Sequence, residues 1–261
     1  MNRLTLKLVK SPLGSLIFGA TRFGYSSKWI GIFSTWAEAM AVIPTASPVG
    51  YDQEEATRVY LTYPTALVRP GDYPVLLHLR NILTAGARVL DVGGSIGMTY
   101  YMAQKFYTLP ESLDWVVFDV PAVLEAGRQV ALREGGKSKG LRFVDSLGEA
   151  GPCDVFCSTG ALQLIEEPLT RMLEQLPQLP GHILLNRIPV WEGKAIVTLN
   201  DQGFSICPYK IFNRGDFVHS LEQLGYKLVD DWECPESKFS IRFQPRTRLD
   251  SYRGFYFRRN A

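Results

Sequence analysis

Nowhere in this chain do 18 apolar residues run together, so it carries no candidate membrane span. The stretch 13–33 comes nearest, and Gly14, Gly19, Arg22, Gly24 and Lys28 interrupt it. The same breaks leave the start without the continuous apolar core and cleavage site of a signal peptide, so the expected location is the cytoplasm. Charge of one sign is also missing. Lys and Arg total 28 against 26 Asp and Glu, a net of +2. That excess is too small to argue for nucleic acid or an anionic membrane as partner. One local excess exists at the C-terminal end, where Arg242, Arg246, Arg248, Arg253, Arg258 and Arg259 gather. They read as solvated strand edges and loops, or as the rim of a site for an anionic substrate.

Histidine and cysteine are scarce too. The four cysteines are Cys153, Cys157, Cys207 and Cys234. Cys153 and Cys157 fall in what reads as a buried strand, and no further ligands stand at short spacing, so no metal site is expected. Free thiols in a reducing compartment are the plainer reading. Internal repeats and low-complexity tracts are absent.

What is present is an ordinary globular composition, 46% apolar and 21% charged over 261 residues. It suits one α/β domain with an N-terminal extension. Residues 1–85 read as a helical extension or lid. A helix starts with Ser34 as N-cap, a second covers Glu54–Leu67, and a third covers Asp72–Leu83 with Pro74 in its first turn. From 86 to 261 the pattern changes. Short apolar runs at Arg88–Val92, Leu113–Val120, Leu141–Val144, Cys153–Ser158 and His182–Arg187 alternate with helices at Gly97–Phe106, Pro121–Glu134 and Leu169–Leu176. That alternation implies right-handed βαβ units and a mostly parallel sheet covered on both faces. A β-hairpin follows over 195–207, guessed to be an exposed dimer arm. After it come a helix over Asp216–Leu224 and two strands, Tyr226–Trp232 and Gly254–Arg259, forming an antiparallel edge.

The segment from Val89 to Gly97 carries the sharpest signal. A strand ends at Asp91 and Val92, and Gly93 and Gly94 permit a tight turn that backbone can bring against a ligand. Ser95 and Gly97 follow, opening a helix whose first N–H groups are free. Asp119 and Val120 end the second strand, and a carboxylate there can accept from both hydroxyls of a ribose. Dinucleotide enzymes and methyltransferases share this device. Asp91 before the turn and the antiparallel strands at the end favour S-adenosylmethionine over NAD. Ser95 departs from a methyltransferase pattern that has glycine in the middle. Asp145 and Ser146, after the third strand, face the adenine edge or cap a turn. Ser158 and Thr159 close the fourth strand, where donor and acceptor meet.

Several segments taken together resemble a family of class I methyltransferases encoded with surface-polysaccharide biosynthesis genes. They are Trp29–Ala39, Gly50–Asp52, Asp91–Gly97, Ser158–Gln163, Leu185–Val190, Pro208–Phe212 and Tyr252–Phe257. The resemblance implies a Rossmann-like, mostly parallel seven-stranded sheet with S-adenosylmethionine as cofactor, and says little of the acceptor. O-methylation of a sugar, phosphate or small metabolite is the expected activity. Two other readings stand beside it: a non-catalytic binding subunit of the same fold, and an NAD(P) oxidoreductase. The last would need a Tyr-x-x-x-Lys pair after the fourth or fifth strand, and none is there.

Candidates for chemistry are fewer. His78 reads as a general base or as a helix packing residue. His182 lies at the far end of its strand, and His219 on a later helix. Asp52 is a second candidate base, with Tyr51 beside it as an acceptor contact. Arg187 ends the fifth strand and either grips an anionic acceptor or forms an internal salt bridge. Gln163 and Tyr209 complete the expected acceptor contacts.

Overall fold

The computed structural model describes residues 29–241, 244 and 246–259. Residues 1–28 of the expected extension, and Arg242 of the basic group, lie outside them. The chain begins with β1 (Trp29–Phe33), α1 (Trp36–Met40), α2 (Glu54–Thr62) and α3 (Asp72–Ile82). Strand and helix then alternate: β2 (Arg88–Val92), α4 (Met98–Phe106), β3 (Asp114–Phe118), α5 (Pro121–Glu134), β4 (Leu141–Val144), α6 (Leu147–Ala150), β5 (Val155–Thr159), α7 (Leu169–Glu174) and β6 (His182–Ile188). Next come β7 (Val190–Trp191), β8 (Ile196–Asp201), β9 (Ile206–Asn213), α8 (Arg214–Glu222) and β10 (Tyr226–Cys234). The chain closes with β11 (Phe239–Ser240), β12 (Arg248–Leu249) and β13 (Tyr252–Arg259).

Seven strands form the main sheet in the order β10-β13-β6-β5-β2-β3-β4. The five from β2 to β6 are parallel, and β13 runs antiparallel to both its neighbours. The reversed strand therefore sits second from the edge, with β10 outside it. Both faces are covered, as the strand sequences require. Alternate residues go to opposite faces. Leu90, Val92, Val116, Phe156, Ile183 and Leu185 fill one core. Val89, Trp115, Val117, Val155, Cys157 and Leu184 fill the other. Each fully buried Leu, Val or Phe in these layers stabilises the fold by about 1.5–3 kcal/mol. All four cysteine thiols are free and buried.

Strand order places the site. From β2 the chain steps outward to β3 and β4, then crosses back to β5 on the other side of β2. The carboxyl ends of β2 and β5 thus diverge into a crevice at the point where the order reverses.

A second sheet, β1-β8-β9-β7, stands beside this end. The hairpin expected over 195–207 is its centre, with Thr198 opposite Tyr209. It is not an exposed arm. Strand β1 pairs along β8, Trp29 opposite Asn200, and Val197, Thr198, Leu199 and Asn200 are buried. Phe33, Ala39, Val42, Val197, Leu199 and Ile206 make a small core of their own.

Local chemistry moved some helix ends. Thr35, not Ser34, caps α1: its Oγ1 accepts from the Glu38 N–H at 3.1 Å. Helix α2 stops at Thr62 instead of Leu67, because Tyr63 precedes Pro64 and takes an extended conformation. Among the described residues, no helix is long and apolar enough to cross a membrane.

Candidate functional site

A cavity of about 560 Å³ opens at the carboxyl ends of β2, β3 and β5. Its floor is the turn after β2. Gly93 has φ +68° and Gly97 φ +88°, the left-handed region that favours glycine. A methyl group on Gly93 would lie 2.0 Å from Cβ of Ala161, the residue after β5's terminal Thr159-Gly160. The two strand ends therefore approach as closely as backbone allows. Gly94 has a different reason: an added Cβ would meet the Asp91 carboxyl carbon at 2.6 Å. Ser95 occupies the left-handed region too, at φ +57°. The residue that departed from the glycine pattern thus holds a glycine conformation, at a cost of about 1–2 kcal/mol for an L-residue.

Asp119 lines the cavity just past β3. Its Oδ2 accepts from the Ser95 N–H at 2.9 Å and its Oδ1 from the Val120 N–H at 2.8 Å. Burial pushes its pKa up to about 6, and the two amides pull the other way. Asp91 is wholly buried beneath the turn and does not line the cavity. The Trp115 indole N–H donates to its Oδ2 at 3.3 Å. Burial, the larger effect, pushes its pKa up to about 7.

The aromatic wall comes from α2 and its end. Tyr60 and Tyr63 line the cavity with Phe118 and Met98. Burial raises the Tyr60 phenol well above its ordinary value, and the neighbouring Asp119 charge adds to this. Helix α2 is fixed over the site by the Thr57 hydroxyl, which donates to the Ala122 carbonyl at 2.7 Å.

A second cavity of about 430 Å³ adjoins the first, sharing Tyr51, Arg69, Gly160, Leu164 and Arg187 as walls. Trp29, Gln163, Asn200, Tyr209, Glu236 and Tyr252 lie deeper along it. The Tyr209 hydroxyl donates to that of Tyr252 at 3.0 Å.

Of the residues singled out from sequence, Gly93, Ser95, Asp119, Val120, Asp145, Thr159, Tyr51 and Arg187 line the first cavity. Gln163 and Tyr209 line the second. Others are elsewhere. Asp52 lines neither cavity; its Oδ1 accepts from the Ala122 N–H at 2.9 Å, capping the first turn of α5. His78 lines neither: its Nε2 lies 2.9 Å from Asp230 Oδ2, and its ring packs 4.5 Å from that of Tyr256. His182 bonds the Tyr256 hydroxyl at 2.8 Å, and His219 lies on the exposed side of α8. Ser146 bonds Glu149, Ser158 is buried behind the strand end, and Gly97 caps α4. Asp145 reaches the rim but is held by Arg128 at 2.9 and 3.1 Å.

Arg187 resolves in favour of the internal salt bridge. Its guanidinium donates to Asp72 and to the Thr159 carbonyl, the latter at 2.9 Å. Asn186 donates to the same Asp72 oxygen at 2.8 Å. With its charge matched, Arg187 is a wall between the cavities instead of a free anion clamp, and it holds φ +55° to do so.

The sequence reading missed Tyr60, Tyr63, Arg69, Asn200 and Glu236. The two tyrosines carried a signal, since a three-residue spacing would put them on one face of the helix expected over Glu54–Leu67. The other three carried none.

The strand order, the reversed strand second from the edge and the glycine turn at the switch point together define the fold of class I methyltransferases. No family model and no curated protein sequence matches the chain. Solved structures do. The Burkholderia thailandensis 1,6-didemethyltoxoflavin-N1-methyltransferase is similar at TM-score 0.50 and 18% identity, over 79% of this chain and 83% of that one. The CcbJ methyltransferase from Streptomyces caelestis is similar at TM-score 0.52 and 14% identity, over 81% and 99%. The cyclase SpnF is similar at TM-score 0.56 and 13% identity, over 81% and 94%. At these identities the likeness concerns the fold, and the cyclase among them is a reminder that function must be argued from the site.

Proposed function

We propose that this chain is an S-adenosylmethionine-dependent methyltransferase of the cytoplasm that acts on an oxygen of a small acceptor: a sugar or glycan, a phosphate or another small metabolite. The observation that carries the reading is Asp119, a half-buried carboxylate at the end of the second strand, lining the cavity and bonded to the glycine turn. A cofactor diol fits its remaining acceptor lone pairs, and Gly93 and Ser95 line the same cavity beside it.

When bound, S-adenosylmethionine supplies an electrophilic methyl group on a sulfonium. Everything else falls to the chain. Asp119 accepts from the ribose hydroxyls. Gly93 and Ser95 set the backbone against the cofactor's polar parts, and Thr159 and Gly160 form the opposite side. Tyr60, Tyr63, Phe118 and Leu164 exclude water. Arg187, fixed by Asp72, holds the partition behind which the acceptor sits in the second cavity. No histidine lines either cavity among the described residues. Alignment of the two reactants can by itself supply about 7–11 kcal/mol of barrier reduction.

Calorimetry with adenosylhomocysteine tests the reading, with micromolar binding as the expected result. Failure to bind at millimolar ligand sinks it, and binding of a nicotinamide nucleotide in its place would revive the oxidoreductase. Labelled methyl donor offered with a metabolite extract then separates an enzyme from a binding subunit, which would take adenosylhomocysteine yet transfer nothing.

A further inference from the structure

Three side chains that line the second cavity each hold a buried oxygen that accepts no hydrogen bond from the described residues: Oε1 of Gln163, Oδ1 of Asn200 and Oε1 of Glu236. Gln163 and Asn200 are 4% and 2% exposed. The Gln163 amide is held in one orientation, because its Nε2 donates to the Gly160 carbonyl at 2.8 Å. A flipped amide would set two carbonyl-type oxygens against each other. Buried acceptors left unpaired cost stability, and native proteins keep few of them. Three of those found among the described residues belong to side chains that line this one cavity, from the loop after β5, from β8 and from the segment after β10.

We infer that the second cavity is a subsite for a polyhydroxylated ring, bound by its hydroxyl protons. Such a ligand offers donors at several neighbouring positions, which suits three acceptors on the walls of one cavity. Trp29 and Tyr51 supply flat apolar walls for the C–H faces of the ring. The Tyr209–Tyr252 hydroxyl pair can donate or accept alongside them. An anion set against these three oxygens would meet their lone pairs. Of the cations that line it, Arg187 is already matched by Asp72, Lys238 is exposed, and Arg69 lines the first cavity as well. A phosphate or carboxylate on the ligand would therefore point to the rim while the ring enters. The inference rests on the reading above for the occupant of the first cavity, and it narrows the acceptor to a polyol.

The test is titration of the whole protein with glucose, galactose, mannose and myo-inositol, with the sugars' 6-phosphates, and with inorganic phosphate alone. Each is run with and without adenosylhomocysteine. At least one polyol is expected to bind saturably. Asn200→Leu and Gln163→Leu should each weaken that binding tenfold or more, while Asn200→Asp, which keeps the acceptor oxygen, stays within about threefold. Glu236→Gln, an isosteric change at a half-buried position, should weaken it severalfold. Inorganic phosphate should not compete. Absence of binding by every polyol overturns the inference, as does unchanged affinity in both leucine variants or full competition by phosphate. Adenosylhomocysteine binding in the same titrations reports on the first cavity separately. Its loss would count against the methyltransferase reading and leave a measured polyol site standing; its presence without polyol binding does the reverse.

Discussion

The backbone N–H of Ser95 donates to Oδ2 of Asp119 at 2.9 Å, tying the turn after the first parallel strand to the end of the second. One carboxylate thus fixes the floor of the cavity and lines its wall. Burial raises the Asp119 pKa to about 6. A ligand that donates to the carboxylate favours its ionised form. Affinity for adenosylhomocysteine is therefore expected to rise by up to about tenfold per pH unit from pH 5 towards 6 and to level off above. Asp119→Asn should bind at least tenfold more weakly at pH 8 and lose this slope. Calorimetry across the pH range checks both.

Asp91 makes a prediction about stability. Its folded pKa is about 7, raised from 3.8 by burial. The folded state thus binds the proton more tightly than the unfolded one, so the contribution is full below pH 3.8 and is lost as pH rises through 7. Chemical denaturation of wild type against Asp91→Asn should show a downward slope between pH 4 and 7, at most about 1.4 kcal/mol per pH unit, that the variant lacks.

The turn itself is testable by two opposite changes. Gly93→Ala sets a methyl 2.0 Å from Ala161 Cβ at φ +68°. It should cost about 2–4 kcal/mol and abolish ligand binding. Ser95→Gly relieves a left-handed serine at φ +57° and should gain about 0.5 kcal/mol, the net of strain released and chain entropy added. Denaturation midpoints read both.

The Arg187–Asp72 ion pair is buried, with side-chain exposures of 14% and 2%. Asp72→Ala leaves a guanidinium unmatched and should cost about 3–5 kcal/mol. Replacing both residues by apolar ones, Arg187→Met with Asp72→Leu, should recover much of that loss. A double-mutant cycle in thermal unfolding measures the coupling, and simple additivity would contradict the pairing.

His78 should prove dispensable for ligand binding. Its ring contacts Asp230, Tyr256 and Trp232, and it lines neither cavity. His78→Gln is expected to leave adenosylhomocysteine affinity within about twofold while lowering stability by about 1 kcal/mol. A loss of binding larger than the loss of stability explains would return His78 to the site.

What the sequence determined by itself was local. Strand and helix periods, and glycines that had to turn, were legible from residues 88 to 188, because each depends on neighbours within a few positions. The place of Asp119 on the cavity was legible because it follows from its position at a strand end. The helix ends at Ser34 and Leu67 were misjudged through single residues, Thr35 as a better-placed cap and Pro64 as a stop. Only the tertiary structure decided the rest. Asp72 and Arg187 stand 115 residues apart, and nothing local shows that one consumes the charge of the other. Asp52 looked available until α5 brought the Ala122 amide to it. The second cavity draws Trp29, Gln163, Asn200 and Glu236 from four separate segments. Their meeting depends on how one sheet packs beside another, which no spacing along the chain records.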